Sequence, residues 1–448
     1  MEADFIKTIE VVTKKGRILG EDTGIYQVFR SIAYARAPVG ELRWKRPQPV
    51  EPWEGIYDAT LFKTRCPQRL PQEYAPPEDL YNKEFYNNYD FIPVRSENSL
   101  HLNIWTPDCR EKKKYPVAVW IHGGGFGGGF GFEKEFDGAA YCQRDVILVT
   151  INYRLGIFGF FVHPWLCEED EYGTCGNYGI YDQIAALDWV YENIEDFGGD
   201  PENITVFGQS AGGASVRTLV SSSLTGNKIK KAIIQSGIFP SGGIDCSKPE
   251  DVMRFGIEFA ERAGARSLRE LRSMPWEKLL DIYWSYCLEK PQERMGWCHP
   301  VVDGILLKDT LEELMKHGLV KDIPYIVGSN ADDLVEISGS KNGENMFYDG
   351  CIRWCEQREK NSNYPAYLYY FTRRLPGSDD GAFHSAELWY TFGTLGRCWR
   401  PMEEHDFALS GQMLDYWTNF MKYGNPNGSS DGVWQAYTKE RPYIQDFH

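Results

Sequence analysis

The chain has 448 residues, 42% of them hydrophobic and 25% charged, a globular composition with ample core, unlike that of a disordered or fibrous protein. Its 48 Lys and Arg face 64 Asp and Glu, a net charge of −16 that repels phosphate backbones and argues against nucleic acid as a partner. No apolar run reaches the roughly 18 residues of a membrane-spanning helix, and the eleven scattered Cys fit neither a disulfide framework nor a zinc site.

The start, Met1 to Phe5, is acidic and lacks the apolar stretch of a secretory signal. The expectation is a cytoplasmic protein with reduced thiols, no metal, no cofactor and no membrane partner, present as a monomer or homodimer. The basic run Lys112-Lys113-Lys114 reads as a solvated loop.

Along the chain, short apolar runs alternate with helical patterns. Pro116 to Ile121 and Asp145 to Ile151 read as buried strands, Tyr181 to Ile194 as an amphipathic helix, and Asn203 to Gly208 as a strand followed by a helix from Ala211 to Val220. Lys230 to Gln235, Pro324 to Gly328 and Ala366 to Phe371 are further strands. Strands that are apolar throughout, spaced by helices, imply an α/β fold with a mostly parallel sheet covered on both faces. Lys248 to His317 is helical and aromatic and reads as an insertion, about 245–320, in a single domain spanning 1–448. The last helix, about Glu403 to Tyr423, stops at Gly424-Asn425-Pro426.

Two glycine-rich motifs carry chemistry. Gly208-Gln209-Ser210-Ala211-Gly212 lies between a strand and a small-residue helix, the strand–turn–helix context in which a serine hydroxyl projects from a tight turn as a nucleophile. His122-Gly123-Gly124-Gly125-Phe126 follows another strand. Its Gly124 and Gly125, with Ala211, can aim backbone N–H groups at a developing oxyanion. Gly127-Gly128-Gly129 extends the run and would leave the rim of such a site free to move.

A serine nucleophile needs a base and an orienting acid. Of the five His after Ser210, His384 lies in a loop following a late strand, where this architecture places its base. The acid is expected just after Pro324 to Gly328, where Asp332 and Asp333 are adjacent and only one can face an imidazole. A solvated turn or helix cap is the ordinary role of the other.

Taken together with these motifs, the sequence resembles the type-B carboxylesterases, the cholinesterase-like esterases of the α/β-hydrolase fold. The likeness spans nearly the whole chain. Besides the two glycine motifs it rests on Ala33 to Trp44, Leu102 to Pro107, Asn152-Tyr153-Arg154-Leu155-Gly156, and Gly176 to Gln183 running on to Phe197-Gly198-Gly199-Asp200-Pro201. The resemblance implies a serine hydrolase of small to medium aryl or alkyl esters, working through an acyl-enzyme. It places the triad on Ser210, Asp333 and His384, the last within a Gly-x-x-His-x-x-Glu pattern from Gly381 to Glu387, and sets Ser236 behind them.

Three departures stand out. Gln209 occupies a position where many members carry Glu, removing a negative charge near His384. Asp333 replaces the usual Glu. Ser99 stands where a disulfide partner of Cys66 would be, which predicts an untethered loop from Cys66 to Ser99. That loop has no Trp to stack on a quaternary ammonium. It holds Tyr74, Tyr81, Phe85, Tyr86, Tyr89 and Phe91 instead, whose ordinary role is packing or a pocket wall, so a choline ester is a poor expectation. The rival class is a non-catalytic binding or adhesion protein on the same fold. Such relatives lack the nucleophile, whereas Ser210, Asp333 and His384 are all present. A metal-dependent hydrolase would need a His/Cys cluster or an H-E-x-x-H motif, and neither occurs.

Overall fold

The computed structural model describes residues 7–448 apart from 88–90, 112, 240–245, 291–296, 335–344 and 429–432. Tyr89, Lys112 and part of the expected insertion therefore lie outside the described residues.

The centre is a twisted sheet. Its strands are β1 (Thr8–Thr13), β2 (Gly16–Asp22), β3 (Gln27–Ala33), β4 (His101–Thr106), β5 (Tyr115–Ile121), β6 (Ile147–Ile151), β7 (Gly199–Gln209), β8 (Ile229–Gln235), β9 (Tyr325–Asn330), β10 (Ala366–Phe371) and β11 (Gln445–Phe447). Their spatial order is β1-β2-β3-β4-β6-β5-β7-β8-β9-β10-β11, and a short strand, Ile56–Asp58, pairs with β2. Pairings from β1 through β4 to β6 are antiparallel, and those from β6 through β5 to β11 are parallel.

The parallel strands are apolar on both faces because helices cover both. Along β5, Val117, Val119 and Ile121 join one core cluster, while Ala118 and Trp120 join the other, across the sheet. Trp120 is fully buried and meets Phe136, Phe207 and Phe392 at ring-centroid distances of 5.1, 4.8 and 4.9 Å. The outer β1 and β2 alternate exposed and buried residues, the pattern of a sheet with one wet face.

Two helices bear on the site. The helix α1 (Tyr178–Asn193) carries Asp182, which holds Arg154 by a bidentate pair at 2.7 Å with both side chains buried. The helix α2 (Ala211–Ser221) leaves β7 at once and runs through the core, ten of its eleven residues buried. The region after β8 contains helices at Pro249–Ala263, Leu268–Ser273, Trp276–Glu289 and Leu311–Lys316. The first begins on Pro249 with Glu250 and Asp251 in its opening turn and ends on Gly264 at φ 71°, the expected start and stop chemistry.

The segment from Cys66 to Ser99 is held without a disulfide, contrary to the expectation of an untethered loop. Thr64–Arg65 pairs in parallel with Val94–Arg95, and Ser96 N–H donates to the Arg65 carbonyl at 2.9 Å. Cys66 is buried and its Sγ accepts from Leu155 N–H at 3.3 Å.

Candidate active site

Four loops leaving the carboxyl ends of parallel strands converge on one region, the usual location of sites in such sheets. The loop after β5 brings Gly123 to Gly129, the turn after β7 brings Ser210, the loop after β9 brings Asp333, and the loop after β10 brings His384. A cavity of about 500 Å³ is lined by Gly123, Gly124, Gly125, Gln209, Ser210 and His384 among others, a size suited to a small-molecule ligand.

Ser210 is the N-cap of α2 at φ 56°, ψ −124°, a conformation that L-residues avoid. Its neighbours enforce it. Ser210 N–H donates to the Gln235 carbonyl and Ser210 C=O accepts from Ala214 N–H, both at 2.9 Å. The turn is so close to β5 that a Cβ on Gly212 would lie 2.0 Å from the Ile121 carbonyl oxygen, and one on Gly208 2.5 Å from that of Gly212. The two glycines flanking the serine are therefore steric requirements.

The loop after β5 is fixed by similar crowding. Gly124 has φ +98°, and a Cβ there would meet the Gly128 carbonyl oxygen at 2.3 Å. Gly127 and Gly128 N–H both donate to the Gly124 carbonyl at 3.0 Å, while Gln68 accepts from Gly129 N–H at 2.7 Å and donates to its carbonyl at 2.9 Å. The run is thus pinned rather than left free at the rim. His122 is buried, stacks on Tyr153 at 4.5 Å, and is pushed down to about 4 by burial, so it is neutral. Among the described residues, the N–H groups of Gly124, Gly125 and Ala211 donate to no other protein group.

Asp333 is fully buried and its Oδ1 makes a very short contact with His384 Nδ1. The Asn330 N–H donates to Asp333 Oδ2 at 3.1 Å. A carboxylate accepts only, so Nδ1 carries the proton and Nε2 is left with its lone pair. Asp332 turns the other way: its Oδ2 accepts from Ala382 N–H at 2.8 Å and its own N–H donates to the Ala382 carbonyl at 3.1 Å. The two aspartates thus divide the work, one on the imidazole and one on the loop that carries it.

No hydrogen bond joins the Ser210 hydroxyl to His384 among the described residues. Such contacts are often long before a substrate binds. Instead the Gln209 amide nitrogen lies 3.2 Å from Nε2 and 3.5 Å from Nδ1 of His384. With Nδ1–H directed at Asp333, the closer contact is a hydrogen bond that the Gln209 amide donates to His384 Nε2. Phe347 stacks on the imidazole at 5.7 Å. Ser236, buried at φ 44°, donates its N–H to the Gly328 carbonyl at 2.8 Å, and its hydroxyl has no partner among the described residues.

Several residues were not singled out from sequence. Glu387 is fully buried, accepts from Gln235 Nε2 at 3.1 Å and Asn330 Nδ2 at 2.6 Å, and is pushed up to about 7 by burial and by the charge of Asp333. Its position in the Gly-x-x-His-x-x-Glu pattern was the available signal. Glu133 and Glu135 also line the cavity. Of the aromatic residues in the loop after Cys66, Tyr74, Tyr81, Phe85 and Tyr86 are in the cavity wall, joined by Tyr283 and Trp284 from the helix Trp276–Glu289.

This architecture defines the class, an α/β-hydrolase with a serine on the turn after its central strand. The comparisons then specify the family. The model of the carboxylesterase family matches residues 7–348 and 340–447, and the chain belongs to that family. A para-nitrobenzyl esterase of Bacillus subtilis is 31% identical, with 96% of this chain and 93% of the relative covered. A fumonisin B1 esterase of Sphingopyxis macrogoltabida is 30% identical over 95% of this chain and 84% of its own. Among solved structures, a PNB esterase superposes with a TM-score of 0.82 at 29% identity, covering 98% of this chain and 95% of the other. A carboxylesterase of Geobacillus stearothermophilus gives 0.80 at 31%, with 98% and 96% covered. The protein is a serine hydrolase of carboxylic esters.

Proposed function

We propose that Ser210, His384 and Asp333 perform the hydrolysis, on small to medium aryl or alkyl esters. The observation that carries this reading is the conjunction of a serine held at a strained turn with a histidine whose Nδ1 is engaged by a buried carboxylate, both at one cavity.

The Ser210 hydroxyl gives its proton to His384 Nε2 as its oxygen bonds to the ester carbonyl carbon. The carbonyl oxygen becomes an oxyanion and is met by the N–H groups of Gly124, Gly125 and Ala211. Asp333 holds the ring tautomer and stabilises the imidazolium. That proton then passes to the departing alkoxide, leaving the acyl group on Ser210. Water, deprotonated by the same imidazole, breaks the acyl bond and returns the serine. Gln209, being neutral, adds no charge to the imidazolium.

The aromatic wall and the cavity volume support an ester with an apolar part. The position of Tyr283 and Trp284 supports reading the helical region, about 245–320, as an insertion over the site in one domain. No helix among the described residues is long and apolar enough to cross a membrane.

The test is an aryl-ester panel with and without an organophosphate, read by intact mass. One adduct, absent in Ser210→Ala, with turnover lost in parallel, is expected. Full turnover by Ser210→Ala would refute the assignment.

A further inference from the structure

None of the eleven cysteines lines the cavity, yet two of them are arranged to react with each other. Cys167 lies near the end of the short helix Pro164–Glu169, and Cys175 lies just ahead of Asn177, the N-cap of α1. Eight residues apart in sequence, their Sγ atoms meet at 2.7 Å as thiols. A bond between them needs about 2.05 Å, so it can form with a movement of under about 1 Å.

The contact is built into the fold rather than left to a loose loop. Asp170 Oδ1 accepts from Tyr172 N–H at 3.0 Å and from Thr174 N–H and Oγ1 at 3.3 Å, and Gly173 N–H donates to the Asp170 carbonyl at 3.0 Å. At one end, Arg272 holds Glu169 by two hydrogen bonds, at 2.7 and 2.6 Å. At the other, Asn177 donates to the Val301 carbonyl at 2.9 Å and accepts from Val301 N–H at 2.8 Å. The Arg46 guanidinium lies over the rings of Tyr172 and Tyr181, at 4.6 and 4.7 Å. Both thiols are thus kept face to face by distant parts of the chain.

The two sulfurs are unequal. Cys175 is buried and Cys167 is half-buried. Of the two acceptors within reach of the Cys175 thiol, Cys167 Sγ at 2.7 Å is closer than the His163 carbonyl at 3.7 Å. That hydrogen bond holds the Cys167 thiol below its usual range, against burial and the charges of Asp170 and Glu168, and raises that of Cys175. A thiolate is the nucleophile in disulfide exchange. The sulfur that solvent reaches is therefore the attacking one, and the buried sulfur stands directly behind it.

We propose that Cys167 and Cys175 form a reversible dithiol–disulfide couple, oxidised by low-molecular-weight disulfides such as glutathione disulfide. The Cys167 thiolate attacks one sulfur of the small disulfide, giving a mixed disulfide and releasing one thiol. Cys175 then gives up its proton and attacks Cys167 Sγ, which closes the internal bond and releases the second thiol. Two electrons pass from the protein to the small disulfide, and the two protons lost by the cysteines are those gained by the departing thiols. The new bond closes a short loop ahead of α1 and restricts the unfolded chain, so the oxidised form is the more stable one.

The experiment starts from folded protein reduced with dithiothreitol. It is equilibrated in glutathione buffers of rising disulfide content, quenched with acid, alkylated with N-ethylmaleimide after denaturation, and read by intact and peptide masses. Cys167 and Cys175 are expected to escape alkylation together, in one linked peptide, while Cys109, half-buried like Cys167, stays alkylated. Cys175→Ser should stop at the first step and carry one glutathione on Cys167, and Cys167→Ser should leave Cys175 unmodified. The Tm of the oxidised wild type should exceed that of the reduced form by roughly 2–4 °C, with no such difference in Cys167→Ser. Alkylation of both thiols at every buffer ratio, a mixed disulfide that persists on Cys167 in the wild type, or a linkage to another cysteine would overturn the couple. A fully formed bond with no rise in Tm would overturn its stabilising role.

Discussion

Replacing Ser210 by glycine should stabilise the protein, while replacing it by alanine should not. The serine sits at φ 56°, ψ −124°, and a residue with a Cβ held there costs about 1–3 kcal/mol. Alanine keeps the Cβ and with it the strain. Glycine removes the strain but loses more freedom on folding, about 0.5–1 kcal/mol, leaving a net gain of about 1 kcal/mol over alanine. The turn itself should survive in both, because it is imposed by the hydrogen bonds of the Ser210 backbone to Gln235 and Ala214 and by the approach of Gly212 to β5. Both variants lack the hydroxyl, so catalysis does not enter the comparison. The assay is urea unfolding of the two at one pH, followed by tryptophan fluorescence. A glycine variant less stable than the alanine variant by about 0.5–1 kcal/mol, its ordinary cost elsewhere, would show that the turn stores no strain. The fold would then not be holding this serine in place against its preference.

Asp333→Asn should lower kcat by roughly 10³–10⁴ with little change in KM, because the amide can impose the wrong tautomer on His384. Steady-state kinetics on an aryl ester checks this, and a loss under tenfold would mean that another group orients the ring. Glu387 gives a stability prediction. Its folded-state value is raised from 4.5 to about 7, so the stability it contributes is present in full below about pH 4.5 and is lost as pH rises through about 7. The shift corresponds to roughly 3 kcal/mol. Glu387→Gln cannot ionise, so its stability should fall less than that of the wild type over this range by about that amount, read from urea midpoints at a series of pH values. Parallel curves would refute it.

Where the sequence was legible, the reason is that covering a parallel sheet on both faces forces continuous apolar strands. The expected Pro116 to Ile121 and Ala366 to Phe371 lie within or match β5 and β10. The outer strands β1 and β2 were not legible in this way, since their residues alternate and β1 includes exposed polar positions. The glycine motifs were readable because close backbone approach leaves no alternative to glycine. The choice between Asp332 and Asp333 was not readable from the residues themselves and came only from the family resemblance, because it depends on a bridge between Asp332 and Phe383 that brings the two loops together. Likewise nothing local marks the glycine run as pinned, since its anchor Gln68 is 61 residues away from Gly129. Glu133 and Glu135 flank a lysine and carry no local sign of burial, and only the packing of residues distant in sequence buries them.

The two buried acids near His384 illustrate how environment separates identical chemistry. Asp333 accepts from His384 Nδ1–H and from Asn330 N–H, so its charge is met on both oxygens. Glu387 is also met by two donors, yet both are neutral amides, and the charge of Asp333 opposes its ionisation. Burial and the neighbouring Asp333 make Glu387 resist ionising, so the two acids differ in environment although their chemistry is the same. Gln209 extends the same logic on the cavity side. A carboxylate against the ring at that position would add a further negative charge to a region that already holds Asp333, Glu387 and, across the cavity, Glu133 and Glu135. With an amide there, the imidazolium that the proposed mechanism forms would be balanced chiefly by Asp333.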